Sequence, residues 1–267
     1  MAEIRRTSCI VFALLTLTCL DGAGAELTTE EIVQRAVTRA QWAHRLNRQT
    51  NYTYEKTTIV EEIDGKGHIR ERKEKMTRFE SGVGTLLGLK INDKPVEIRD
   101  KQKGEAFADR QHITRGSSPA KRDDDWTNYL TKDLTSRYNF EVVGHESVDG
   151  RDSYVLSFKP ASNKLPIKRI TDRLINHLGG KIWVDKREFE VTRADIRLLE
   201  EVSMWGGVLG AMKKFAFKVE RQRLDSDAWF NRTTNMELEG RKLFDATRLR
   251  IQSESSNHRR TVAINRK

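Results

Sequence analysis

Cysteine is almost absent from this chain: the 267 residues contain two, Cys9 and Cys19. Both lie in the first 25 residues, where Arg5 and Arg6, an apolar run and the small residues Ala23-Gly24-Ala25 are typical of a signal peptide cleaved before Glu26. The mature chain would then have no cysteine, which excludes disulfides, thiolate metal sites and a cysteine nucleophile. Export without disulfides favours the periplasm of a bacterium.

Two other interpretations of residues 1–25 remain open. The segment could stay as an N-terminal anchor helix, although its apolar run is short. Cys19 could be lipidated, although Thr16-Leu17-Thr18 matches poorly the residues that usually precede a lipidated cysteine. Beyond this segment, long hydrophobic runs are absent, because no stretch approaches the ~20 apolar residues that span a membrane.

Catalytic and metal-binding motifs are also missing. The six histidines are scattered, and no two have the H-x-x-x-H spacing of a metal site. There is no G-x-S-x-G elbow, no P-loop and no G-x-G-x-x-G. The run Asp123-Asp124-Asp125 lacks the alternating ligands of a calcium loop and is better explained as a helix cap. We therefore expect no enzyme, no metal and no cofactor.

Positive charge is in excess in this chain. The formal net charge is +10, and removal of the signal would take away two acids and two bases and leave it unchanged. In the cytosol this would suggest nucleic acid, but outside it the polyanions are phospholipid head groups and surface polymers. Solubility alone is the other explanation. Lys164, Lys168, Arg169 and Arg173 form a basic cluster.

Hydrophobic periodicity predicts one long helix and then many hairpins. Thr28 caps a helix that runs to about Arg48, with apolar residues at steps of three and four. Strands with turns between them are predicted from residue 52 to residue 91 and again from residue 138 to residue 253. Shorter helices are predicted at 126–134 and 167–178, the second ended by Gly179-Gly180. In the strand at 214–220, Phe215, Phe217 and Val219 should face one way and Lys214, Lys218 and Glu220 the other.

This pattern predicts an α+β fold. Successive hairpins give a curved antiparallel sheet, which forms an unclosed half-barrel covered or plugged by two to three α-helices. We expect residues 26–267 to form a single domain, with residues 99–122 as a mobile loop or an irregular helix within it.

Two hairpins resemble the LolA/LolB-like superfamily, in particular the exported proteins called outer-membrane lipoprotein-sorting proteins. The first is the G-x-E-x-V-D-G-R-x-S-Y-V-L pattern from Gly144 to Leu156, and the second is G-K-I-W-V-D from Gly180 to Asp185. The resemblance covers most of residues 28–255. It implies an unclosed barrel whose helices line or cap a hydrophobic cavity for the acyl chains of lipoproteins or lipids.

The uncharged segment Val202-Ser-Met-Trp-Gly-Gly-Val-Leu-Gly-Ala-Met212 stands out in a chain with 33% charged residues. It should connect two strands at the rim of the sheet, where it forms either a movable lip of the cavity or a buried loop. The candidate cargo-binding residues are Met204, Trp205, Val208, Leu209, Met212, Phe215, Phe217, Tyr154, Leu156, Phe158 and Trp183. The candidates for an anionic head group are Lys213, Lys214, Lys168, Arg169 and Arg173.

Two functions from different classes follow from these observations. The first is a periplasmic carrier, monomeric, whose partners are lipoprotein or lipid acyl chains and the membrane components that deliver or receive them, with no nucleic acid. The second is an envelope sensor or scaffold that binds a protein or a surface polyanion through its basic face. Salt distinguishes them, because polyanion binding weakens steeply with ionic strength.

Overall fold

A computed structural model describes residues 26–97, 126–162, 165–168, 170–204, 210–225, 228–242 and 245–261. In chain order the helices and strands are α1 (Thr29–Leu46), β1 (Tyr52–Ile63), β2 (Ile69–Glu80), β3 (Val83–Ile91), β4 (Lys94–Pro95), α2 (Lys132–Thr135), β5 (Tyr138–Val148), β6 (Arg151–Pro160), α3 (Ile170–Ile175), β7 (Leu178–Asp185), β8 (Val191–Leu198), β9 (Val202–Met204), β10 (Gly210–Asp225), β11 (Ala228–Lys242) and β12 (Asp245–Arg260). Short 3₁₀ turns occupy Arg48–Asn51 and Trp126–Tyr129.

The strands form one antiparallel sheet in the order β4-β3-β2-β1-β12-β11-β10-β8-β7-β6-β5, and β9 pairs separately with β10. Its two edge strands, β4 and β5, do not pair with each other, so the sheet is not closed. The prediction of an α+β half-barrel with an unclosed antiparallel sheet and two to three helices is confirmed. The division into domains stays a prediction.

Helix α1 begins where the sequence predicts. The Thr28 side chain accepts a hydrogen bond from the amide of Glu31, and the Glu31 carboxylate accepts one from the amide of Thr28, which completes a capping box. The helix ends at Asn47, which has a φ of 46° and turns the chain towards β1. Ile32, Ala36, Val37 and Ala40 are its buried residues, and they form the stripe that faces the protein.

We call the sheet face that packs against α1 the inner face. Ile32 and Ala36 of α1 belong to one buried cluster with Leu156, Phe158, Ile182, Val184, Val191, Ala194, Phe217 and Val219. Residues directly opposite each other on antiparallel strands share a face. Cross-strand register therefore extends the inner face from β5 to β3 in rows of neighbouring side chains.

The opposite, outer face carries paired charges. Arg72 lies 3.7 Å from Glu61, Arg250 lies 3.0 Å from Glu61, and Lys214 lies 2.6 Å from Glu237. Like these, Lys218 lies 3.2 Å from Asp195 of the neighbouring strand. The charged ribbon that the sequence predicts at residues 61–80 is thus part of a cross-strand ladder of opposite charges, in which most pairs are partly exposed.

Two predicted helices differ from the structure. The single helix expected at 126–134 is a 3₁₀ turn followed by the four-residue α2, whose amide at Leu134 is capped by the Thr131 side chain. The capping role predicted for Asp123-Asp124-Asp125 falls on residues outside the described part, as does the loop expected at 99–122.

The helix expected at 167–178 is the shorter α3, and the two glycines after it do not end a helix. Gly179 and Gly180 belong to strand β7. Gly180 has a φ of 153°, and a Cβ at this position would lie 2.0 Å from the carbonyl oxygen of Asp195 in β8. Close approach of two backbones therefore explains this glycine, since any side chain would collide with the next strand.

Candidate functional site

Five of the predicted cargo-binding residues lie on the inner face. Leu156, Phe158 and Phe217 are buried there, and Tyr154 and Phe215 pack partly buried against the same cluster. Their positions follow from alternation along β6 and β10, because every second residue of a strand faces the same way. The structure places these five residues on one face of the sheet, on β6 and β10 with β7 and β8 between them, while their role in binding stays a prediction.

Trp183 lies on the outer face, apart from those five residues. Its cross-strand neighbours are Val155 and Arg193, and the Arg193 guanidinium stacks 4.6 Å from the centre of the indole ring. The indole Nε1 donates a hydrogen bond of 2.8 Å to Glu146. Ile182 and Val184, the residues on either side of Trp183, are the ones that reach the inner face.

The uncharged segment at 202–212 begins and ends in paired strands. Val202 pairs with Met212 and Met204 with Gly210, so the segment connects β9 to β10 as a hairpin. Val202 and Ala211 are buried, and Met212 is partly buried. Trp205, Val208 and Leu209, together with the side chain of Met204, lie outside the described residues. The choice between a movable lip and a buried loop therefore stays open.

The predicted head-group residues do not form one cluster. Lys214 is bound to Glu237 on the outer face, and Lys213 beside it is exposed. Lys168 is exposed in the segment before α3, and Arg173 is partly buried on α3. Arg169 lies outside the described residues.

A buried polar cluster holds the segment that carries Lys168. Arg137 donates a 2.8 Å hydrogen bond to the side-chain oxygen of Asn176 and lies 3.6 Å from Asp172. Asp172 in turn accepts a 2.7 Å hydrogen bond from the amide of Lys168. These three residues, Arg137, Asn176 and Asp172, are buried and fix α3 against the start of β5. We therefore assign them to the scaffold.

The sequence did not reveal how far the apolar inner face extends. One row of directly opposite residues runs from β5 through the sheet: Phe140, Phe158, Gly180, Ile196, Phe217, Met236, Ile251 and Val60. Met236 packs partly buried against the main cluster. Within the described residues, Ile251 and Val60 are partly buried and belong neither to this cluster nor to a second buried cluster, which consists of Tyr52, Tyr54, Phe79, Ala228 and Phe230. Helix α1 lies beside β5, at the other end of this row.

A buried ionic network, also absent from the sequence analysis, fixes α1 to the sheet. The carboxylate of Glu190, between β7 and β8, accepts hydrogen bonds from Arg39 of α1 and Arg221 of β10. The side chains of Glu190 and Arg221 are 1% and 2% exposed, so this contact is shielded from water. The sequence offers no signal for this network, because Arg39 and Glu190 are 151 positions apart and meet only in the fold.

The turn that carries Glu190 is itself organised by Asp185. Its carboxylate accepts two hydrogen bonds from Arg151, at 2.7 Å and 2.9 Å, and two more from the amides of Arg187 and Glu188. Burial alone would raise the pKa of Asp185, but these donors outweigh it and hold the pKa below its ordinary value. Asp185 is therefore a turn-capping carboxylate.

Metal-binding clusters are absent from the described part of the chain. Among those residues, no cluster of three or more His, Cys, Asp or Glu side chains could hold a metal ion. An open depression of about 270 Å³ on the solvent side of α1 is lined by Glu30, Glu31, Gln34 and Arg35, all of them polar. None of the helices in this part is long and apolar enough to cross a membrane. The prediction that the chain is not an enzyme stays a prediction.

The chain matches no known family model and no curated protein. Solved structures of the LolA superfamily resemble it. A LolA superfamily protein from Nitrosomonas europaea is 11% identical, with 88% of this chain and 94% of that one covered and a TM-score of 0.32. A putative outer membrane lipoprotein-sorting protein domain from Vibrio parahaemolyticus is 12% identical, with 88% and 95% covered and a TM-score of 0.30.

A third structure, the MucA/MucB complex of Pseudomonas aeruginosa, is 11% identical, with 85% of this chain and 100% of that one covered and a TM-score of 0.24. The names of the first two neighbours agree with the superfamily that the sequence resembles. Identities below 25% concern the fold alone, and TM-scores this low add nothing to an argument about function.

Proposed function

We propose that the protein is a periplasmic carrier that holds acyl chains of lipoproteins or lipids against its inner face. The observation that carries the proposal is the row Phe217, Met236, Ile251 and Val60, which continues the apolar face beyond the buried cluster under α1. Burial of an acyl chain on such a surface contributes about 0.8 kcal/mol per CH₂ group. Several methylene groups would together give strong binding without any polar contact.

The side chains of this row suit cargo of irregular shape. Met236 is unbranched and flexible, and Phe217 offers an aromatic ring beside it. Ile251 and Val60 are only partly buried, so apolar surface remains on them for a ligand to cover. The outer face carries mostly paired charges, which supports the inner face as the site of cargo binding.

Export to the periplasm is part of the same proposal. It rests on the signal-peptide pattern of residues 1–25, which lie outside the described residues, and on the lack of cysteine after Cys19. Donor and acceptor components in the two membranes would be the protein partners of such a carrier.

The direct test is native mass spectrometry of the protein purified from its own envelope, in which we expect a co-purifying lipid or lipopeptide. A matched pair of substitutions then locates the site. Ile251→Asn changes the inner face, and Ile59→Asn makes the same change on the outer face of β1, where Ile59 lies opposite Gln252 of β12. Both isoleucine side chains are partly buried.

We expect Ile251→Asn to weaken binding of a fluorescent C16 fatty acid at least fivefold and Ile59→Asn to leave it unchanged. Circular dichroism of both variants checks that they are folded. Equal affinities of the two variants and the wild type would contradict the inner face as the site. Binding that instead falls steeply with salt would favour a scaffold for surface polyanions.

A further inference from the structure

Three lysines interrupt the inner face on β1 and β2. Register places Lys73 opposite Val60, Lys75 opposite Thr58, and Lys56 opposite Thr77. Because Val60 belongs to the apolar inner row, its cross-strand neighbour Lys73 and the alternate residues Lys75 and Lys56 face the same way. All three side chains are partly buried, which is unusual for lysine.

Lys75 differs from two nearby lysines of the sheet, Lys73 and Lys90. Lys73 is bound to Glu71 at 2.6 Å, and the outer-face Lys90 to Glu74 at 3.0 Å. Within the described residues, the ammonium group of Lys75 has no ion pair and no hydrogen bond. A partly buried ammonium group next to apolar side chains is stabilised by an anion that replaces its lost water.

Hydroxyl groups lie beside Lys75 on the inner face of the described strands. Thr58 lies directly opposite it, Ser253 lies opposite Thr58, and Thr234 lies opposite Ser253, so a row of hydroxyl groups crosses the inner face beside the lysine. Glu71, which register places on the same face of β2, is engaged by Lys73. Hydroxyl and ammonium donors together match the oxygens of a carboxylate or phosphate.

The apolar row begins next to these donors. Val60, Ile251, Met236 and Phe217 lie on four adjacent strands, β1, β12, β11 and β10, starting opposite Lys73. With strands about 4.8 Å apart, the distance from β2 to β10 is roughly 19 Å. Within the described strands, a polar end that contains Lys75 is therefore continuous with a long apolar strip.

We propose that the cargo is an anionic amphiphile, whose carboxylate or phosphate is held by Lys75 while its chain lies along the row from Val60 to Phe217. This inference rests on the proposed function and adds the class and the orientation of the ligand. The shared chemistry is an anionic oxygen group on a hydrocarbon chain.

The test compares four probes on the wild-type protein: palmitate, palmitoyl lysophosphatidic acid, uncharged monopalmitoylglycerol and inorganic phosphate alone. Competition against a fluorescent fatty acid at low ionic strength measures each affinity. We expect both anionic lipids to bind about tenfold more tightly than the uncharged one, a difference of about 1.4 kcal/mol. Phosphate alone should not compete, because it has no chain to bury.

Lys75→Met keeps most of the side-chain volume and removes the charge. It should abolish the tenfold preference for anionic lipids without lowering the affinity for monopalmitoylglycerol. Lys75→Arg should restore the preference. Lys181→Met is the matched control, since Lys181 is an exposed lysine opposite Asp195 on the outer face, and it should keep the preference.

Two outcomes overturn the inference alone: equal affinities of charged and uncharged lipids for the wild type, or an unchanged preference in Lys75→Met. In both, a bound uncharged lipid would leave the carrier function standing. Competition by phosphate alone as strong as that by lysophosphatidic acid would also overturn it, because the chain would then contribute nothing. Failure of all three lipids to bind would refute the carrier function itself.

Discussion

Arg39 Nε lies 2.7 Å from Glu190 Oε2, a contact that joins the first helix to the turn between β7 and β8. Arg221 approaches the other oxygen of the same carboxylate from β10, so one buried acid serves two arginines. Removal of one partner from a buried ion pair leaves an uncompensated charge, which is far more harmful than loss of a surface pair.

Replacement of Glu190 by alanine should therefore lower the free energy of unfolding by about 3–5 kcal/mol. Urea denaturation followed by circular dichroism measures the change. The control is Glu239→Ala, which removes a partly exposed partner of Arg248 and should cost at most about 1 kcal/mol. Similar losses in the two variants would show that burial of Glu190 is unimportant.

Gly180→Ala should be more damaging than its small size suggests. The φ of 153° disfavours any other residue, and the added Cβ would lie 2.0 Å from the carbonyl oxygen of Asp195. We expect a loss of at least about 3 kcal/mol, or failure to fold, in the same denaturation experiment. Gly88→Ala in β3 is the matched control, because its Cβ would meet nothing within 4 Å, and it should change stability by less than about 1 kcal/mol.

His258 should give the protein a pH-dependent stability. Burial between Tyr54 and Phe230 lowers the pKa of His258 below its ordinary value of about 6.5. The unfolded chain then binds a proton at this histidine more readily than the folded chain does. The contribution of neutral His258 to the free energy of unfolding is therefore complete above pH 6.5 and is lost as the pH falls towards the folded-state pKa.

His258→Phe keeps an aromatic ring between Tyr54 and Phe230 and removes the titrating imidazole. The variant should lose less stability than the wild type between pH 7 and pH 5, measured as the shift of the urea midpoint. Parallel pH profiles for the two proteins would argue against this assignment.

Trp183→Phe tests whether the outer face of β7 takes part in binding. The indole hydrogen bond to Glu146 lies on the outer face, so its loss should lower stability by about 0.5–1.5 kcal/mol, or up to about 3 because Glu146 is charged. Affinity for a C16 fatty acid should not change. A large fall in affinity with unchanged stability would place Trp183 in the binding site after all.

The sequence was sufficient for the parts of the fold that local chemistry determines. Thr28 and Glu31 predict the start of α1 because a capping box needs only four residues, and the alternation of Phe217 and Lys218 predicts the two faces of β10. Both signals are complete within a few neighbouring positions of the chain.

The remaining features depend on which strands become neighbours. The sequence predicts a helix end at Gly180, because the close approach of Asp195 is visible only in three dimensions. The sequence also groups Trp183 with Tyr154, because it does not tell which face of β7 points inward. The neighbours of Lys75 and Met236 could be named only after the strand order was known.

The pairing of β1 with β12 has a consequence for how the molecule forms. β12 lies between β1 and β11, so it alone joins the strands β4-β3-β2-β1 to the strands from β11 to β5. A chain shortened before residue 245 would retain two separate sheets with a new unpaired edge on each. Assembly of the whole sheet must therefore wait until the last strand is available, and such long-range closure predicts slow folding and a need for protection against aggregation until then.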